Sequence, residues 1–323
     1  MLNYPYIQSS EPFISGDYLL LISDVIFDHT YDQQIIDAKL AAAQKKEKLI
    51  IFVKTELLLQ YAQVLLKIKK PYVLLTNCND DMCVPYFSYP QEDKRVTVTF
   101  NVLLANPMLI RWYTKNPSIV HEKLYGFPIG PKWQHTSWLF FGEDKTALLK
   151  TYNKFCGKAK DSFLLKRGSS SDSNNDSPLL YYNTSNTTPA PFYKAHTNIR
   201  KIAEDELLEN GYKQLEGKPF EEYLEELSKY KFCISPPGRG IDAHRTWEAL
   251  MVGTIPIVLR CDSMNNLFEG LPVLVVDKYS EVNDEFLNKK YEEMTNSTQI
   301  EKYKFEKIYT DWWVSEIRKI VQD

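Results

Sequence analysis

The stretch from Lys231 to Leu259, KFCISPPGRGIDAHRTWEALMVGTIPIVL, decides how this 323-residue chain folds. Phe232, Cys233 and Ile234 form a short apolar run stopped by Ser235-Pro236-Pro237-Gly238. Thr254 to Leu259 is a second, β-branched run, preceded by Gly253, a residue that commonly ends helices. Between the two runs, Ile241 to Val252 fits a single helix. A helix of that length suits a crossover between parallel strands and is too long for a hairpin loop. The segment therefore predicts a β-loop-α-β unit in a parallel sheet.

At about 100° per residue, Ala243, Trp247, Leu250 and Met251 fall on one side of this helix and Asp242, His244, Arg245 and Glu248 on the other. The apolar side is expected on the sheet. The polar side also suits ordinary i,i+3 and i,i+4 pairs in water, worth about 0.2–0.5 kcal/mol each. A helix that only packs, however, needs no turn containing two prolines, two glycines and an arginine. Pro236 and Pro237 stiffen that turn, and Gly238 and Gly240 permit positive φ or close approach of a ligand, so that the first free N–H groups of the helix face an anion beside Arg239, His244 and Arg245. In a parallel α/β sheet this turn lies at the carboxyl ends of the strands, where ligands bind.

The run FCISPPGRGIDAHRTWEALMVGTIPIV resembles the nucleotide-sugar-binding segment of exostosin-like glycosyltransferases, along nearly its whole length. A looser similarity continues upstream through RWYTKN (111–116), HEKLYGFPIG (121–130) and LLYYNTSNTT (179–188), in the order seen in that family. The resemblance implies a GT-B fold: two Rossmann-like α/β domains with parallel sheets facing a central cleft, and a C-terminal helix crossing back to the first domain. It also implies inverting transfer of a sugar from a nucleoside diphosphate sugar, a UDP-sugar being the expected donor, to a hydroxyl of a glycan or glycoconjugate.

On that reading Arg245, Arg239 and the Gly238–Gly240 backbone hold the diphosphate, Glu248 accepts hydrogen bonds from the ribose, His244 donates to a phosphate or to the sugar, and Ser235 and Asp242 complete the pocket. Arg200, early in a helix after the Leu179 strand, is a further cation that also suits the plain surface. The catalytic set is Asp24, Arg245 and His244, with Asp24 as the base at the end of an apolar run. His29, Asp80, Asp81 and His121 are rivals for that role, and an Asp in Asp24's position is also an ordinary turn residue. No D-x-D or His/Asp cluster stands out, and adjacent Asp80 and Asp81 diverge on an extended backbone. Metal-independent chemistry without a cofactor beyond the donor is expected, with leaving-group charge met by helix N-termini and Arg.

Composition fits a protein that folds on its own core: 44% hydrophobic and 25% charged residues over a length comfortable for two domains. The net charge of −3, with Lys and Arg dispersed among Asp and Glu, argues against nucleic acid as a partner. Cys78, Cys83, Cys156, Cys233 and Cys261 are irregularly spaced and read as structural or free thiols. No G-x-G-x-x-G follows a first strand, and no P-loop is present. The opening MLNYPYIQSSEPF has neither a charged nor an apolar leader region, and no apolar run reaches membrane-spanning length. A cytoplasmic location without an integral membrane segment is expected unless an anchor precedes this sequence, as is usual in animal and plant members of the resembled family.

Along the chain, strand signals at Asp17–Ser23, Lys48–Lys54 and Pro71–Thr76 alternate with helical segments at Tyr31–Lys46 and Thr55–Lys69. Val96–Phe100, Leu109–Tyr113 and Lys123–Phe127 are further strand candidates. The expected layout is an acceptor-side Rossmann-like domain at 1–165, a polar loop or linker at 166–178, a nucleotide-sugar domain at 179–299, and a terminal helix at 300–323 packing on the first domain. A contrasting function is a nucleotide-sugar or carbohydrate-binding protein that keeps the pocket without turnover.

Overall fold

The computed structural model describes residues 13–14, 18–27, 32–43, 45–77, 94–131, 151–165, 177–184 and 198–322. The chain forms two compact units, each assembled from separated segments: Gly16–Pro128, Cys261–Leu267 and Thr310–Asp323 in one, Met1–Ser15, Ile129–Arg260 and Phe268–Tyr309 in the other. Each is built on a parallel sheet of the Rossmann-like α/β kind, so the α/β class and the parallel pairing expected from the Lys231–Leu259 segment are both observed.

The first-sheet unit holds β1 (Val25–Phe27), β2 (Leu49–Lys54), β3 (Tyr72–Asn77), β4 (Leu109–Thr114) and β5 (Leu124–Gly126), lying side by side in chain order and all parallel. Right-handed crossovers that always step the same way place their helices on one face. Helices Gln33–Ala42, Leu58–Lys67 and Lys94–Ala105 accordingly share one core with alternate strand residues, among them Phe27, Ile51, Val53, Leu74 and Trp112. The intervening residues Ile50, Phe52, Val73 and Leu75 are buried as well. They are covered by the short helix Tyr18–Ile22 and the last helix, Thr310–Gln322, both of which contact the central strands. Trp313 meets Phe127 edge to face at 5.3 Å, and Ile317 is fully buried. The C-terminal helix thus returns to the first sheet, as expected.

Three local expectations are corrected. Asp17–Ser23 is not a strand: Tyr18–Ile22 is helical and the first strand starts at Val25. Val96–Phe100 lies inside the helix Lys94–Ala105. Its β-branched residues favour a strand locally, but Phe100, Leu103 and Leu104 recur at three- and four-residue spacing and are buried together, and that stripe outweighs the local preference. The terminal segment Ile300–Val321 is also not one helix. A 3-10 turn at Phe305–Ile308 precedes Thr310, so Phe305 and Ile308 pack in one unit while Trp313 and Ile317 pack in the other.

The second-sheet unit holds β6 (Leu180–Tyr181), β7 (Phe232–Ile234), β8 (Ile255–Leu259) and β9 (Leu274–Val276), again parallel and in chain order. The crossover helix between β7 and β8 is His244–Met251, shorter at its start than the expected Ile241–Val252. Its end has a full Schellman arrangement: Gly253, at φ 71°, donates to the Leu250 carbonyl at 3.1 Å, and Thr254 donates to that of Ala249 at 2.8 Å. A Cβ on Gly253 would also lie 2.5 Å from the Phe163 backbone nitrogen. Gly253→Ala therefore combines left-handed strain with a backbone overlap, and urea unfolding should show a loss of at least ~2 kcal/mol.

Lys307, in the 3-10 turn packed against this helix, is 3% exposed and donates to the Glu269 carbonyl at 2.7 Å. Burial pushes its pKa down from 10.5 to about 8. Between those values the unfolded chain holds the proton more tightly, so stability rises with pH across the window and the penalty is constant below it, with a ceiling of ~3 kcal/mol. Burial raises Tyr72 to about 12, which has the opposite sign above pH ~10 and closes the window there. Thermal midpoints should climb from pH 8 to 10 in the wild type, and this climb should be missing from Lys307→Met.

Candidate functional site

In a parallel sheet every helix that follows a strand starts at the carboxyl edge, and this brings three segments of the second-sheet unit together. The residues after β6 lead to the helix Ile199–Glu209, which carries Arg200 in its first turn and is capped by Asn198, whose side chain accepts from the Lys201 N–H at 3.1 Å. The residues after β7 form the Ser235–Ala243 turn. The helix His244–Met251 then begins at the same edge.

Pro236, Pro237 and Gly238 are buried. The Arg200 guanidinium lies on this turn: Nε donates to the Pro237 carbonyl at 3.1 Å, and Nη2 would be 2.7 Å from a Cβ on Gly238. Gly238 thus leaves room for the Arg200 guanidinium where it lies, and neither it nor Gly240 adopts positive φ. The turn closes through a Gly238 N–H bond to the Gly240 carbonyl at 3.0 Å, and Arg239 at its tip is exposed.

Asp242 is 3% exposed, and its oxygens serve the fold. Oδ2 accepts from the Ile129 N–H at 2.9 Å and the Trp247 indole at 2.8 Å, and Oδ1 accepts from the Ala243 N–H at 2.9 Å. The same Ile129–Gly130 segment supplies the partner of His244, whose Nδ1 lies 2.8 Å from the Gly130 carbonyl. A carbonyl can only accept, so Nδ1 carries a proton and Nε2 is left as lone pair or second donor according to the charge of the ring. Ser235, 2% exposed, pairs its hydroxyl with that of Thr246 at 2.8 Å and so ties the end of β7 to the helix.

Arg245 is half-buried, with its guanidinium carbon 5.3 Å from the Tyr223 ring centroid and 6.0 Å from that of Tyr181. Its Nη1 is buried and has no hydrogen-bond partner among the described residues. Burial works against its charge, but the surrounding Tyr223, Cys233 and Glu248 groups win and hold the proton more tightly than usual. Arg200 is shifted the other way, by burial and then by the charge of Arg245. Two guanidiniums therefore feel each other at this edge. Glu248 is 4% exposed and accepts from the Tyr223 hydroxyl at 2.8 Å through Oε2, so the polar face of the helix is not a solvated one. Burial and the Glu248 charge raise the Tyr223 pKa well above its ordinary value.

The structure thus gathers Ser235, Gly238, Gly240, Asp242, His244, Arg245, Glu248 and Arg200 in one unit, and adds Tyr181, Tyr223 and the Ile129–Gly130 segment. Tyr181 lies in the LLYYNTSNTT stretch singled out above, whereas Tyr223 has no local signal and arrives through packing of its helix.

Asp24 is placed differently from expectation. It precedes β1, at the amino edge of its sheet, where Oδ1 pairs with Lys46 and Oδ2 accepts from the Ile50 N–H at 2.8 Å. The misplaced first strand is the reason it looked like a strand-end residue. His121, in the same unit, accepts the Lys123 N–H on Nδ1 at 3.1 Å. His29, Asp80, Asp81, Cys78 and Cys83 lie outside the described residues. Cys156, Cys233 and Cys261 are free thiols. Among the described residues, no group of three or more His, Cys, Asp or Glu is arranged to hold a metal, and no helix is long and apolar enough to cross a membrane.

Asp242 and Arg239, three positions apart in the turn's sequence, should behave oppositely on mutation. Asp242→Ala strands three donors, two of them buried with it, and should lower unfolding free energy by at least ~2 kcal/mol with a shift in Trp247 fluorescence. Arg239→Ala should stay within about 0.5 kcal/mol of wild type in the same measurement.

No protein-family model matches the chain, and no curated protein matches it either. Solved structures similar to it include the UDP-forming α,α-trehalose-phosphate synthase of Burkholderia xenovorans in complex with glucose-6-phosphate, at 10% identity over 91% of this chain and 80% of that one, with a TM-score of 0.35. The corresponding enzyme of Burkholderia vietnamiensis is 12% identical over 91% of this chain and 79% of its own, with a TM-score of 0.36. The E. coli protein bound with UDP-2-fluoro glucose is 9% identical over 90% and 73%, with a TM-score of 0.31.

Proposed function

We propose that this protein is a glycosyltransferase of the GT-B type, and that the carboxyl edge of its second sheet binds the diphosphate of a nucleotide sugar, a UDP-sugar in the first instance. The observation that carries this reading is a pair of guanidiniums that feel each other's charge, Arg200 on the Gly238 turn and Arg245 in the first turn of the helix that follows, the latter presenting a buried Nη1 without a partner among the described residues. Two like charges held close are unfavourable unless an anion shares them, and a diphosphate offers pairs of oxygens that a planar guanidinium can meet with two parallel hydrogen bonds. The exostosin-like sequence of the same turn and helix supports the reading independently.

During transfer, negative charge grows on the departing diphosphate. Arg245 and Arg200 stabilise it from fixed positions, so that little reorganisation is needed as the bond breaks. His244, with Nδ1–H committed to Gly130, adds a donor at Nε2 when protonated. Glu248 was expected at the ribose, but its burial and its bond from Tyr223 make it first the support that holds an aromatic face against Arg245. The acceptor is a glycan or glycoconjugate hydroxyl, and inversion follows the resembled family.

A second reading, a nucleotide-sugar-binding protein without turnover, is favoured by one observation: the expected base, Asp24, is tied to Lys46 and Ile50 at the amino edge of its sheet. Isothermal titration with UDP, UDP-sugars and GDP-sugars, followed by assay of donor hydrolysis and the anomeric form of any product, separates the two. UDP should bind the wild type, and Arg245→Ala should weaken it roughly 10–100-fold, the cost of a lost hydrogen bond between charged groups. Arg245→Lys, which keeps the charge without the fork, should not restore full affinity. Unchanged binding in Arg245→Ala would overturn the site, whereas tight binding with no hydrolysis or transfer would favour the binder.

A further inference from the structure

A cavity of about 460 Å³ lies beside the edge strand β5 in the first-sheet unit, lined by His121, Tyr125, Asp262, Asn265 and Asn266 among others. Its volume is in the range of small-ligand sites, about 300–1,000 Å³. One wall is fixed, because Asn266 Oδ1 accepts the Gly126 N–H at 3.3 Å and so clasps residues 262–266 to the strand. Ser263, also in the lining, donates its hydroxyl to the Pro117 carbonyl and adds to that clasp. The Asp262 and Asn265 side chains make no hydrogen bond among the described residues, and both are exposed. His121 accepts the Lys123 N–H on Nδ1, so the neutral ring carries its proton on Nε2 as a donor. Tyr125 adds a ring, backed by the Arg111 guanidinium at 4.3 Å, and a hydroxyl.

We infer that this cavity is a binding site for a neutral saccharide unit. Its lining mixes acceptors (Asp262), donors (His121) and groups that do both (Asn265 and the Tyr125 hydroxyl), which suits adjacent sugar hydroxyls, each both donor and acceptor. A phosphate would meet the Asp262 carboxylate, while the nearby cation, Arg111, is engaged with the Tyr125 and Tyr113 rings. A quaternary ammonium would find Tyr125 alone where it needs a cage of aromatic rings. The inference rests on the lining of this cavity and not on the donor reading above.

Saturation-transfer NMR and titration on the whole chain, with maltose, cellobiose, lactose and xylobiose as probes and inorganic phosphate and tetramethylammonium as charged counterparts, test it. At least one disaccharide should bind in the millimolar range or tighter, Asp262→Ala and Asn265→Ala should each weaken it tenfold or more, and Arg245→Ala should leave it unchanged. The site is overturned if no disaccharide binds, if binding survives both cavity substitutions, or if either ion displaces the sugar. UDP titrated into the same samples reports the other site, so absence of UDP binding would sink the donor reading while leaving this one standing.

Discussion

The buried carboxylate of Asp242 holds together parts of the chain that would otherwise be placed separately. It receives the backbone of Ile129, the backbone of Ala243 and the indole of Trp247. Through Ile129 it fixes the Gly130 carbonyl and with it the ring of His244; through Ala243 and Trp247 it fixes where the helix starts and how deeply that helix sits on the sheet. Each of these bonds ends on an acceptor with little exposure to water, the condition in which the loss of a hydrogen bond costs most. His244 and Arg245 are consecutive, so fixing the first turn orients both.

Arg200 and Arg245 show the opposite electrostatics in the same few ångströms. Arg200 is disfavoured as a cation by burial and by its neighbour, whereas Arg245 keeps its charge against burial through the Tyr223, Cys233 and Glu248 groups and lies against two aromatic rings. Cation–π contacts of this kind are worth about 0.5–2 kcal/mol, the larger value when water is excluded. They allow a guanidinium to be held partly dry without a carboxylate consuming its hydrogen-bonding edge. An ordinary salt bridge would neutralise Arg245; an aromatic platform leaves its charge available. This distinction is what suits the cluster to the anion proposed for it.

Much of this was legible in the sequence because it is local. The apolar run Phe232–Ile234, the breaker turn, the helix with Gly253 after it and the β-branched run to Leu259 each follow from short-range rules, and the structure reproduces their order and parallel pairing. What the sequence concealed depends on contacts across the fold. The role of Gly238 is set by Arg200, 38 positions earlier in the chain, and Tyr223 matters only because its helix packs under Arg245. Helical periodicity grouped Asp242 with His244, Arg245 and Glu248, but the helix starts at His244 and Asp242 instead bonds Trp247, which the same wheel had set on the opposite side; nor can periodicity tell a polar face in water from one that is buried. The first half was harder to read because its signals conflict: β-branched Val96–Thr99 sit in a helix, and the apolar Tyr18–Ile22 run is a helix before β1, which moved Asp24 from one edge of the sheet to the other.

Topology bears on why the proposed anion site of the second sheet is concentrated at one turn. When strands are added in chain order, every crossover leaves on the same side, and no pair of adjacent strands sends its loops in opposite directions. A doubly wound sheet opens a crevice at such a reversal and needs few special residues to make a ligand site there. Neither sheet here has a reversal among the described strands. On the proposed reading, a concave anion site at the carboxyl edge comes from a turn kept low enough for side chains to reach over it. Pro236 and Pro237 restrict that turn, Gly238 removes the one Cβ that would collide with Arg200, and Asp242 returns the chain to the helix. The density of Pro, Gly and Arg in eight residues is therefore a consequence of sheet order: the backbone supplies no crevice, and the turn supplies its substitute.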